Sequence, residues 1–157
     1  MKSCYITLWA RKPCLFPWKS VWTVEAPHYI AFFTWTVAMG RIPTIDNLGR
    51  RGFTLVNWCC LCKKNEEIIN HFLIHCEYTS DLWLLVLNTF GVSWAMPNNV
   101  QELLHYWKIH GQGHSQEAIW KVIFVLLMWS IWRERNWHFF EDCESNVLCL
   151  ISSFVRS

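Results

Sequence analysis

Residues 59–76 read CCLCKKNEEIINHFLIHC, placing four cysteines and two histidines within eighteen positions. Thiolate and imidazole are the donors zinc prefers, and a closed structural site needs four of them. Six candidates therefore compete for four places. Cys59 and Cys62 have the two-residue gap that lets a tight turn aim both sulfurs at one ion, and the second half offers His71, His75 and Cys76. His71 and His75 are four apart and would share one face of a helix. His71 and Cys76 are five apart, so that set needs the helix to end or bend before Cys76. Spacing leaves both sets open.

Other readings of the cluster are weaker. A free cysteine often packs as a small hydrophobe, but paired donors at both ends of a short polar loop point to metal. A redox pair would sit between a strand and a helix, a setting this stretch lacks. A catalytic zinc keeps an open position and needs a nearby base. The nearest carboxylates, Glu66 and Glu67, stand beside Lys63 and Lys64 in what reads as a solvated loop. The expected role is structural.

Outward from the cluster, composition favours burial: 53% of the 157 residues are hydrophobic and 17% charged, which excludes a disordered chain. Twelve Trp and ten Phe promise a core of large rigid contacts. A net charge of +2 is no strong footprint for nucleic acid. The N-terminal apolar run is short and ends on Arg11 and Lys12, where a signal peptide would carry small residues, so no leader is read. The apolar run at 122–132 has eleven residues, against about 20 for a membrane-crossing helix. Eight cysteines without a leader suggest an intracellular, reducing setting, cytoplasmic or nuclear, and metal before disulfides.

Helix signals dominate. Pro27 suits a first turn for the apolar HYIAFFTWTVAM, with Gly40 as its stop. Thr44 caps a short helix that Gly52 ends, and 53–58 is expected to run extended as one short strand. Thr79 or Ser80 caps DLWLLVLNTF, stopped by Gly91. After Pro97, VQELLHYWKIH forms an amphipathic helix, and 116–138 forms the longest helix, apolar all round and hence central. The tail after Asp142 reads as a helix with part of its packing missing, which suggests truncation. The fold class is mainly α: a small zinc-stapled helical domain with a knuckle-like loop, then a long buried helix.

The ordered motifs FPWKSVW, APHYIAFFTW, IPTIDNLGRRGF, NWCCLC, HFLIHC and SDLW, continued by FGVSWAMP and IWRERNWHFFED, together resemble the zinc-binding domain that follows the reverse transcriptase in plant LINE-type, non-LTR retrotransposons. The resemblance implies a zinc-binding domain over 2–90 and a helical extension over 95–157. It also implies one structural zinc on Cys59, Cys62, His71 and Cys76, with His75 and Cys60 as neighbours of ligands. The chain departs from the family at Pro43, often Leu, and at Gly49, often basic.

The functional expectation is a non-catalytic module of a retroelement polyprotein. No Tyr-x-Asp-Asp carboxylate pair, phosphate-binding loop, Gly-x-Ser-x-Gly or spaced acidic set suited to ribonuclease H occurs in the sequence. RNA or single-stranded DNA would meet Arg50, Arg51, Lys63 and Lys64, with Arg41 nearby and Arg133 and Arg135 as a weaker second patch. Trp58 beside the first ligand would stack on a base if exposed, although packing beneath the loop is the commoner role for Trp. The alternative is a scaffold that packs against the reverse transcriptase portion or another protein, without nucleic acid or membrane.

Overall fold

The computed structural model describes residues 26–92, 95–110 and 117–141. The motif FPWKSVW, the linker at 111–114 and the tail after 141 lie outside them. Among the described residues the architecture is helical, without strands: α1 (His28–Ala38), α2 (Ile45–Arg50), a π-helical turn (His71–His75), α3 (Glu77–Thr89), α4 (Val100–His110) and α5 (Glu117–Glu141). No described helix is long and apolar enough to cross a membrane.

Local chemistry explains most boundaries. Pro27 occupies the N-cap of α1, and Gly40, at φ 64°, reverses the chain after it. The Thr44 hydroxyl accepts from the Asn47 N–H at the start of α2. The expected strand at 53–58 is not one. That segment finds no partner strand among the described residues, and Phe53, Leu55 and Val56 are exposed along it. The start of α3 also differs from the Thr79 or Ser80 cap expected. The helix begins at Glu77, with extended Cys76 (φ −62°, ψ 134°) at its N-cap.

The long helix α5 is the axis of the core. Its first half presents Phe124, which lies 4.8 Å from the Trp83 ring of α3 and 5.6 Å from the Trp107 ring of α4. One and two turns on, Trp129 and Trp132 meet Phe33 of α1, and Trp132 also meets Phe72 of the π-turn at 5.9 Å. Burying these aromatics is the main stabilising term, because each removes a large apolar surface from water. Apart from Ile45, the buried hydrophobic residues of 30–87 and of 100–132 belong to one cluster. Cys59, Cys62 and Cys76 are part of it, so the metal-ligand candidates are set into the core's edge.

Candidate metal centre

The ligand atoms of Cys59, Cys62, His71 and Cys76 all lie within 4.8 Å of one another. Bonds of about 2.0–2.3 Å to a tetrahedral zinc would hold such atoms roughly 3.3–3.8 Å apart. Cys62 Sγ and His71 Nε2 are already at 3.3 Å, and the longest separation needs to shorten by about 1 Å to close the shell. The three sulfurs are buried and the imidazole half-buried. This donor set could hold one zinc ion with no position left over for water.

Two local devices build it. The first pair sits on a tight turn, in which the Lys63 N–H donates to Cys59 O at 2.8 Å and the Cys59 N–H to Asn65 O at 2.6 Å. Lys63 adopts φ 53°, the left-handed conformation that closes the turn. The second pair depends on the π-turn. In an α-helix, residues five apart point about 140° away from each other. Here the Cys76 N–H donates to His71 O at 2.7 Å, an i to i+5 bond that turns both side chains toward one side. Widening the helix strands the carbonyls of 72–74, and α3 satisfies them in succession. Thr79 Oγ1 donates to Phe72 O (2.7 Å), Trp83 Nε1 to Leu73 O (2.8 Å) and Ser80 Oγ to Ile74 O (2.9 Å). Thr79 and Ser80 thus hold the π-turn, which is why neither caps α3.

The unused donors point elsewhere. His75 is exposed, with Nε2 3.0 Å from Asn98 O ahead of α4. Cys60 turns inward, its thiol 3.8 Å from Glu67 Oε2 and 3.6 Å from Arg135 O. Burial and the Glu67 charge push the Cys60 thiol up to about 12, so it stays protonated. The candidate ligands differ from it. Cys59 donates its thiol proton to Cys76, which pushes the Cys59 thiol up and draws the Cys76 thiol down. Burial, then the nearby His75, lowers His71 and favours the neutral imidazole that a metal requires.

The carboxylate expected in a solvated loop is instead wholly buried. Glu67 Oε1 accepts from the Ile45 N–H at 3.0 Å, and its carboxylate accepts from Arg135 Nε at 3.1 and 3.2 Å and from Arg135 Nη2. Arg135 is therefore not a surface cation, and the carboxylate it holds belongs to a residue 68 positions away. Its guanidinium also lies over the Trp132 and Phe139 rings. Sequence reading missed this pair because both residues are flanked by charged neighbours, and no local pattern links them.

Apart from the buried Arg135, the candidate nucleic-acid residues are at the surface, but they are not equivalent. Arg50 pairs with Asp46 at 3.1 Å, and Lys64 pairs with Glu77 at 2.9 Å. Arg51, Lys63 and Arg133 are exposed. Trp58 is 54% exposed, so it does not pack beneath the loop. The turn that buries Cys59 sends the preceding side chain outward.

A family described as zinc-binding in reverse transcriptase matches residues 1–83 of the chain. A protein of Arabidopsis thaliana, provisionally named a ribonuclease H protein, is 24% identical over 122 residues, 78% of this chain. The chain spans about a fifth of that relative's length. No solved structure matches significantly. The helical architecture, the four clustered donors and a match over more than half its length agree, and the chain belongs to the family of zinc-binding domains in reverse transcriptase.

Proposed function

We propose that the chain is a non-catalytic module of a reverse transcriptase polyprotein. In this reading one zinc, held by Cys59, Cys62, His71 and Cys76, shapes a surface that assists RNA or single-stranded DNA binding. The observation that carries the proposal is the convergence of three buried thiols and one imidazole within 4.8 Å. A complete protein shell argues for structure over catalysis, since the ion would have no open position. Glu67, the buried carboxylate nearest the loop, is engaged by Arg135 and unsuited to act as a base. In this reading any hydrolysis by a parent protein belongs to another part of it.

The nucleic-acid part rests on Trp58, exposed beside Cys59, with Arg51 and Lys63 at the surface. Base stacking on an exposed Trp supplies roughly 1–3 kcal/mol per base without sequence preference. Two or three phosphate contacts would give a log–log salt slope of about −1.4 to −2.1 on single strands. Fluorescence anisotropy with a labelled single-stranded RNA, titrated with salt, is the test. Binding that falls with this slope and is lost in Trp58→Ala/Arg51→Ala supports the proposal, and no binding at low salt sinks it. A scaffold role is the second reading. It is favoured by Phe53 and Val56, 59% and 78% exposed on a segment that has no strand partner among the described residues. It predicts no RNA binding in the same titration.

A further inference from the structure

The family match ends at residue 83, and α5 begins at residue 117. Yet α5 reaches the metal loop and the π-turn at three points. Arg135 holds Glu67 through two nitrogens, with the two side chains 2% and 0% exposed. The backbone carbonyl of Arg135 faces the thiol of Cys60, the residue between the first two donors. Trp132, one turn earlier, packs on Phe72, which follows the donor His71.

From this arrangement we infer that Arg135 is a positioning residue for the zinc site, acting through Glu67, so that α5 is a working part of the metal module. The inference rests on the zinc reading proposed above. The physical chain is short. Residues 59–67 form a loop without regular structure, and its two ends need anchors if Cys59 and Cys62 are to stay aimed at one point. The near anchor is the turn bond from Lys63 to Cys59. The far anchor is Glu67, whose N–H donates to Asn57 Oδ1 and whose carboxylate joins α2 at Ile45 to α5 at Arg135. A carboxylate buried this deeply requires a charged, forked partner to satisfy it. Without Arg135 it would move toward water and carry the loop with it, spreading the donors. Residues that orient first ligands at one remove commonly set metal affinity within a factor of about 10–100.

The test uses the full chain loaded with cobalt as a spectroscopic substitute for zinc, with affinities from chelator competition. Arg135→Met is expected to bind cobalt and zinc roughly 10- to 100-fold more weakly and to shift the cobalt ligand-field bands. Arg135→Lys, which keeps the charge but not the fork, should fall between. Leu104→Ala, a core variant remote from the loop, controls for general destabilisation and should leave the bands in place. Wild-type affinity and bands in a folded Arg135→Met, with Cys59→Ser impaired, overturn this inference alone. Cobalt binding unchanged by Cys59→Ser overturns the ligand assignment and the inference with it. If Arg135→Met does not fold, hydrogen exchange of the wild type decides. Zinc should slow exchange in 131–138 as well as in 59–76, and protection confined to 59–76 overturns the coupling.

Discussion

Two adjacent residues give the sharpest test of the metal centre, because the π-turn sends them in opposite directions. Cys76 is wholly buried within the donor cluster, whereas His75 is exposed and its Nε2 lies against Asn98 O. His75→Ala removes one surface hydrogen bond, worth about 0.5–1 kcal/mol. For a chain of this size that is a fall in Tm of roughly 1–4 °C. Zinc content should not change. Cys76→Ala removes one of four ligands from a site whose zinc supplies on the order of 10–16 kcal/mol of folding free energy. Even an equal quarter share, about 3 kcal/mol, corresponds to roughly a hundredfold loss of zinc affinity. Against a typical total stability of about 5–15 kcal/mol, that loss is a large fraction. The assay is zinc per chain after exchange into chelator-buffered solution, paired with thermal melts with and without added chelator. The wild type and His75→Ala should carry about one zinc and lose stability when chelated, while Cys76→Ala should carry little and ignore the chelator. Zinc retained in Cys76→Ala and lost in His75→Ala would refute the geometry.

Further expectations concern the core and the pH response. Trp83→Ala should cost about 3–5 kcal/mol, as a wholly buried ring against Phe124 is lost and Leu73 O is left unpaired. Trp83→Phe keeps most of the ring but not the donor and should cost about 1–3 kcal/mol in urea unfolding; a neutral Trp83→Phe would show that the π-turn needs no such anchor. Stability should also fall on acidification. His71 has its folded-state pKa below the ordinary 6.5 because burial disfavours the charged ring, so its contribution is present above that value. It is lost as pH drops through the lowered pKa, and proton competition for the metal acts in the same direction. Melting temperatures that rise between pH 7 and pH 5 would contradict this sign.

Helix positions were largely legible in the sequence because the signals that set them act over a few residues. Pro27, Gly40 and Thr44 mark boundaries through their own backbone preferences and side-chain reach. The strand expected at 53–58 failed for a non-local reason, since an extended segment becomes a strand only when a partner supplies the other half of its hydrogen bonds. The Thr79 cap failed because a carbonyl stranded by the π-turn, Phe72 O, accepts from that hydroxyl.

The donor types and their spacing were properties of the sequence alone, since sulfur and imidazole are zinc ligands in any fold and a two-residue gap closes a turn locally. The choice between the adjacent His75 and Cys76 lay beyond spacing. It depends on how wide one helical turn is, and Thr79, Ser80 and Trp83 of another helix hold that turn open. Trp58 was likewise ambiguous until the turn at Cys59 gave it a direction. The Glu67–Arg135 pair is the extreme case: a carboxylate and a guanidinium, each ordinary in its own stretch, become partners only because packing α5 against the π-turn and α1 removes both from water in the same place. Residue chemistry decides what can bind, and burial across a separation of 68 positions decides which groups must.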